Sequence, residues 1–450
     1  MATVMQWEQL LSTRRFKHVD GRIEPSRSLP GEPDAGLRSD FHVDHDRVVF
    51  SSAFRRLGRK TQVHPLAQND HTHNRLTHSV EVACVGRSLG NRVGAMLAMD
   101  NRLPAGYSAF DIGAIVQVAC LAHDIGNPPF GHTGEDALRV WFRHPDHARY
   151  LVGLSDAERQ DIQTFEGNAH SLRMVSSLEM YGREGGMRLT SASLGALTKY
   201  PWTSDTFPAR GKFNLYRSEL DYFAAVATEL GLPRHGQHHW ARHPLVYLME
   251  AADDICYAIL DLEDAGEIDI IDVREFEALL TPLAEIDRVW STDDPRQKCA
   301  MLRGMAVGKC VSNVADRFMA HHDALLDGEF AAKDLLAVCT GRVSDALSAA
   351  KELASRKVYR HPSKLVTEIA AYPCLATLLD ILVPSAHAYI SHPQRTLSPR
   401  DATHLALLTP RLEADDSLYQ AYMKILDFIG GMTDNHAARL ARQLSGVGLV

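Results

Sequence analysis

The chain has 450 residues, a formal net charge of −8, 45% hydrophobic and 23% charged residues. That length can bury a large core and accommodates one large domain or two or three smaller ones. The composition excludes a fibrous or disordered chain, and the acidic balance gives no electrostatic case for wrapping duplex DNA, although a local basic groove stays open.

In chain order, the opening MATVMQWEQLLSTRRF lacks the apolar core of a secretory signal. Arg55, Arg56, Arg59 and Lys60 form a basic run in a predicted helix, which reads equally as a phosphate- or partner-facing surface and as a solvated face. Apolar residues then recur at three- and four-residue spacing over 76–97, 111–122, 217–230, 244–264, 331–355, 364–382 and 415–429, which predicts helices. Breakers cluster at 126–131, 182–190, 200–214 and 231–244 and mark the loops between them. Strand alternation bounded by turn chemistry is hard to find, so the expected fold class is all-α. The longest apolar stretch, AFDIGAIVQVACLA (109–122), is too short to span a bilayer and contains Asp111. Seven cysteines without a CxxC pair argue against a disulfide framework or a thiolate zinc site. A cytoplasmic chain with no membrane partner is the expectation. The division expected is an N-terminal helical segment over 1–65, a core over 66–265, and a C-terminal helical region over 266–450.

The 23 histidines are the first hint of metal or proton chemistry. His-Asp occurs at His45-Asp46, His123-Asp124 and His322-Asp323, so the dipeptide alone carries little information. The second pair differs in context. It ends the most apolar predicted helix of the N-terminal half and is followed by GNPPFGH, a run too costly in helix propensity to be incidental. That run turns the chain sharply into a new helix, whose start places His132 and Glu135 on one face, swung back toward His123 and Asp124. A divalent ion needs more ligands, and two stretches offer them. His78 lies in an amphipathic helix one turn after Arg75, and Asp253, Tyr257 and Asp261 share one stripe of another helix. That stripe reads equally as a solvated acidic face. The group His235, His238, His239 and His243 reads as a solvated or packed loop rather than a second metal site, and His71 and His73 as either a turn or a reach toward a substrate phosphate.

The order His78, His123-Asp124, Asp253 resembles the HD-domain phosphohydrolases, a helical fold whose four metal ligands come in this order. The blocks SSAFRRLGRKTQVHP (51–65), RLTHS (75–79), AHDIGNPPFGHTGE (122–135), TFEGN (164–168), KYPW (199–202), AADDICYAILDLEDA (251–265) and DFIGGMTD (427–434) look like the bacterial deoxyguanosine triphosphate triphosphohydrolases. The resemblance implies an HD-domain helical fold with additional C-terminal helices. It implies His78, His123, Asp124 and Asp253 as ligands of a divalent metal, Mn2+ or Mg2+ with Fe2+ as a third choice. Asp253 is preferred to Asp254 because only from it do Tyr257 and Asp261 fall at the family's spacing for residues that hold the sugar. His132 and Glu135 match the catalytic histidine and its carboxylate partner, Gln62 and Arg75 match contacts to sugar and phosphates, and Lys199 and Tyr200 match a phosphate-side pair.

The implied reaction is dGTP + H2O to deoxyguanosine and triphosphate, by metal-activated water attack at the α-phosphate. Two other readings stand beside it: an HD phosphohydrolase of different nucleotide specificity, and a catalytically weak regulator that senses nucleotides or single strands. The resemblance also implies a homo-oligomer, often a hexamer, and relatives respond to allosteric nucleotides or single-stranded DNA.

Overall fold

A computed structural model describes residues 4–26, 38–62, 73–181, 185–284, 294–359, 361–392, 394 and 397–447. His71 and the end of the 51–65 block lie outside the described residues. The fold is all-α, apart from two small antiparallel ribbons. The helices that build the site are α1 (Asp40–Val49), α2 (Arg75–Met99), α3 (Ala109–Ala122), α4 (Gly131–Arg143), α5 (Val246–Glu267), α6 (Pro362–Ser391), α7 (Leu418–Gly430) and α8 (Asp434–Leu444).

One ribbon, β1 (Arg15–Val19) against β2 (Arg22–Ser26), corrects the expectation of a purely helical N-terminal segment. Its turn is Asp20-Gly21, both at positive φ (46° and 74°), the conformation a two-residue hairpin requires. Asp-Gly between Val19 and Arg22 was a readable hairpin signal.

α2 and α3 pack in close backbone contact, and glycine is the reason. Gly90 and Gly94 lie one turn apart on α2, and a Cβ at either would stand 2.7 Å from the Cα of Gly113 or Ala109. Because the chain reverses between the helices, the same face carries His78, near the start of α2, to the end of α3 where His123 follows. Asn74 caps α2 by accepting from the amides of Leu76 and Thr77. α5 packs across both helices. Gly90→Ala is expected to cost about 1–3 kcal/mol through overpacking, despite alanine's better helix propensity. Thermal unfolding checks it, since an unchanged or higher Tm would mean that the two helices part without cost.

Two apolar clusters organise the rest. The first joins the N-terminal helices to α2, α3, α5 and residues 271–358. The second joins α4 and residues 150–169 to α6, α7 and α8, so it takes side chains from segments far apart in the chain. Lys364–Ser391, within α6, is long and apolar enough to cross a membrane and so exceeds the 109–122 stretch. It is interrupted by Pro373 and Pro384, and Asp380 accepts from Trp141 Nε1 at 2.8 Å on α4. One face joins the second cluster, while Val366 and Ile369 are exposed.

The basic run does not form one surface. Arg55 and Arg59 are exposed, Arg56 pairs with Glu179 at 3.0 Å, and Lys60 is buried with its ammonium on the carbonyls of Asn127 and Gly430. A solvated face is therefore excluded for Lys60: its acceptors lie far along the chain, where helical phase cannot reveal them. The loop histidines do not gather as one group, although the rings of His235 and His239 lie 5.2 Å apart. His243 is buried between Leu10 O and Leu245 N, while His239 packs edge-on against Trp202 and Phe207.

Candidate active site

Side chains from α2, α5 and the turn after α3 meet in a polar cleft. His123 Nδ1 donates to the Cys120 carbonyl at 2.6 Å, which leaves the Nε2 lone pair facing inward. That nitrogen lies 3.4 Å from Asp253 Oδ1, and His78 Nε2 lies 3.2 Å from the same oxygen. One ligand atom from each of these three residues falls within 4.8 Å of the others. Divalent ions bind imidazole and carboxylate at about 2.0–2.2 Å, so small side-chain adjustments suffice to place all three on one ion. Burial works against the charge of Asp253, but Lys199 and the two imidazoles hold its carboxyl well below the usual range. Asp254, the alternative on α5, points elsewhere and pairs with Lys351 at 3.1 Å.

Asp124 stands at the edge of this group, its Oδ1 3.6 Å from His123 Nε2. Both of its oxygens are engaged, Oδ1 by Asn127 Nδ2 at 2.5 Å and Oδ2 by Arg75 Nη1 at 2.6 Å. Burial opposes its ionisation too, and Arg75 with the two histidines overrides it. Arg75 is buried with an unpartnered Nε, and Gln62 has an unpartnered buried Oε1. Buried polar groups without partners are uncommon, and both of these line the cleft.

The GNPPFGH turn works as its sequence implied. Phe130 sits in the left-handed region at φ 64° and Gly131 follows at φ 57°, with the Arg75 guanidinium 2.6 Å from where a Cβ of residue 131 would lie. α4 then starts, and His132 Nδ1 pairs with Glu135 Oε2 at 3.0 Å. His132 is 77% exposed at the cleft rim, whereas Glu135 is 2% exposed. Gly167 N donates to Glu135 Oε1 at 2.7 Å, which gives the TFEGN block a local purpose. Burial raises the Glu135 carboxyl, but His132 and Lys212 bring it down to about 2.

The cleft measures about 190 Å3. Tyr257 and Tyr359 stack on one side, ring centroids 5.8 Å apart, and Tyr359 Oη donates to Asp261 at 2.9 Å. Burial pushes the Asp261 carboxyl up to about 8. Tyr359, Lys364 and Glu368 also line the cleft; nothing in KVYRHPSK marks Tyr359, and the periodicity of 364–382 places Lys364 and Glu368 on a helix without pointing them to the site. Lys199 stands behind the metal-type cluster, with Nζ 3.1 Å from Asp253 Oδ2. Tyr200 packs on Trp202, ring centroids 5.4 Å apart, and is not brought to the cleft. A larger groove of about 1090 Å3, lined in part by Arg56, Arg59 and Arg439, contains none of these groups.

His73 does not face the cleft. Its Nδ1 pairs with Asp264 at 2.5 Å and its Nε2 with Glu81 at 3.0 Å, tying the entry of α2 to α5. This is the turn reading, not the phosphate reading. Burial lowers its pKa, yet the two carboxylates outweigh that and raise it to about 10. A raised pKa stabilises the fold fully below the unfolded value of about 6.5, and the contribution fades as pH rises through about 10. The Tm difference between wild type and Asp264→Asn is therefore expected to be largest near pH 6 and to shrink toward pH 10. A difference independent of pH would show that His73 is not charged in this pair.

Residues 75–176 match the HD domain and residues 337–443 match the phosphohydrolase-associated domain. An all-α frame that gathers two histidines and a carboxylate beside a His–Glu pair is thus that of an HD-domain hydrolase. The HD domain implies a divalent metal, and the His78, His123 and Asp253 cluster suits one. The chain is 44% identical to the deoxyguanosinetriphosphate triphosphohydrolase-like protein of Pseudomonas aeruginosa (strain LESB58), over 98% of this chain and 99% of that protein. It is 36% identical to the Synechocystis sp. protein of the same description, over 99% and 100%. It is 33% identical to the deoxyguanosinetriphosphate triphosphohydrolase of Salmonella paratyphi A, over 90% and 94%. The chain belongs to the deoxyguanosinetriphosphate triphosphohydrolase family of HD-domain proteins.

Proposed function

We propose that the protein hydrolyses deoxynucleoside triphosphates, dGTP foremost, to the deoxynucleoside and intact triphosphate. The observation that carries this reading is the meeting, at one cleft, of the His78–His123–Asp253 cluster, the His132–Glu135 pair and the stacked Tyr257 and Tyr359, with Asp261 buried behind Tyr359. His78, His123, Asp253 and Asp124 would hold the ion, Mn2+ or Mg2+ before Fe2+, with Arg75 fixing the second oxygen of Asp124. When bound, the ion supplies Lewis-acid polarisation of a phosphoryl oxygen and of water.

The protein's own groups do the rest. Water attacks the α-phosphorus, the bond to the 5′ oxygen breaks, and that oxygen leaves with a proton. His132 transfers the proton, while Glu135 orients its ring through Nδ1 and stabilises the imidazolium. Arg75 and Gln62 offer the unpartnered polar atoms that phosphate and sugar oxygens would satisfy. Tyr257 and Asp261, joined by Tyr359, form a sugar floor too close for a 2′-hydroxyl, which is the basis we assign to a deoxy preference. Lys199 acts through Asp253, balancing its charge. A homo-oligomer belongs to the same reading, supported by the exposed Val366 and Ile369 of α6, the helix that brings Lys364 and Glu368 to the cleft. A cytoplasmic setting does too, supported by seven cysteines that are all unpaired.

Product chromatography tests the reading. Each of the four dNTPs and GTP is incubated singly with Mn2+ or Mg2+, and the dNTPs also as a mixture. Deoxynucleoside plus intact triphosphate is the expected result, with dGTP leading and GTP refused. Diphosphate or monophosphate products would redirect the site to another bond, and no product even from the mixture would favour a nucleotide-sensing regulator.

A further inference from the structure

The DFIGGMTD block (427–434) joins α7 to α8 and ends on Asp434, whose carboxylate is 2% exposed. Its Oδ2 accepts from the amide of Thr61 at 2.9 Å and its Oδ1 from the amide of Phe130 at 3.0 Å. Both residues line the cleft and lead into its functional groups: Thr61 precedes Gln62, and Phe130 precedes Gly131 and His132. Lys60, also buried, adds a parallel tie by donating to the carbonyls of Asn127 and Gly430, the latter at 2.7 Å. Thr61 is in turn bridged to Asn74, the cap of α2.

Phe130 is the strained member of this arrangement. A bulky side chain at φ 64° is held there only when its surroundings over-determine it. A hydrogen bond to its own amide, from a carboxylate anchored at the start of α8, is one such determinant.

We propose that Asp434 is a positioning residue for the hydrolysis: it clamps the Thr61–Gln62 segment and the His132 turn to each other, so that sugar and phosphate contacts and the proton-transfer group keep one spacing. Only a carboxylate presents two acceptors to two amides at once. Asparagine keeps one acceptor and sets its NH2 against the other amide, so the clamp opens while volume is preserved. The proposal rests on the functional reading above through the roles of Gln62 and His132.

The test compares Asp434→Asn with wild type, and the same change on a His132→Ala background. Expected is a fall in kcat of about 10²-fold on wild type, of the size a 1 Å misplacement causes. On the His132→Ala background kcat should move less than about threefold, because the group being positioned is gone. KM for dGTP should rise in both backgrounds through Gln62. Equal proportional losses of kcat in both backgrounds, with a lowered Tm, would overturn the proposal in favour of a folding role. Hydrogen exchange gives a readout independent of turnover: peptides holding Thr61 and Phe130 should lose protection in Asp434→Asn while α2 and α3 keep theirs, and unchanged exchange overturns the clamp. Were wild type to turn over no deoxynucleotide, the functional reading would fall while the exchange result still decided the clamp. If Asp434→Asn does not fold, wild type decides: Thr61 and Phe130 amides that exchange as slowly as α8 support the clamp, and fast exchange removes it.

Discussion

Asp253→Ala is expected to abolish both divalent-metal retention and hydrolysis. Its Oδ1 lies within 3.4 Å of the Nε2 atoms of His78 and His123, and it brings the only negative charge of the three-residue cluster. Without it, two imidazoles and an Asp124 already shared between Arg75 and Asn127 remain. The substitution also strands the Lys199 ammonium, whose pairing with Asp253 is partly buried, and breaking such a pair costs up to about 3–5 kcal/mol, the range for full burial. Lost fold and lost metal are therefore separated by a second variant. Asp253→Ala with Lys199→Met should recover Tm and still bind no metal in calorimetric titration with Mn2+. Stoichiometric Mn2+ binding by the well-folded double variant would remove Asp253 from the ligand set.

His132→Ala should lower kcat by about 10²- to 10⁴-fold, the range for removing a general acid or base, while leaving metal affinity as in wild type. The ring is exposed at the rim and held by a carboxylate buried behind it, so its loss leaves no cavity in the core and Tm should hardly move. Glu135→Gln should have a smaller effect in the same direction, since the amide still contacts Nδ1 but carries no charge to stabilise a protonated ring. A His132→Ala enzyme that keeps wild-type kcat would pass the proton-transfer role to another group.

Much of the site was legible in the sequence because its information is local. Asp253, Tyr257 and Asp261 repeat at helical spacing, so one phase places them together, and the same phase turns Asp254 away to Lys351. GNPPFGH cannot continue a helix, and the turn it makes carries His132 back to the cleft. What escaped is information held between distant segments. Tyr359 becomes a cleft residue only because Asp261, 98 positions away, accepts its hydroxyl. Lys60 reads as part of a basic face until Gly430, 370 positions away, supplies the carbonyl that buries it. The β1–β2 hairpin is a different kind of miss, because Asp20-Gly21 announced it locally and helical periodicity elsewhere overshadowed it.

The second apolar cluster has a consequence for the order in which the protein is made. Its ties span most of the chain: Tyr150 O waits for Tyr422, Asp161 for Tyr419 and Arg173 for Asp427, 254 residues later in that last case. At about 5–20 residues per second, the ribosome takes roughly 10–50 s to deliver that partner. During that interval α4 carries Trp141 and Phe142 without the helices that will cover them, and the nascent chain is sticky there. The residues from His78 to Asp261 that we assign to the metal, the proton transfer and the sugar have all been synthesised by residue 261, yet the turn they depend on stays unpinned until residue 434 emerges. A chain under translation thus carries every metal ligand we propose for it well before it carries the fold that aligns them.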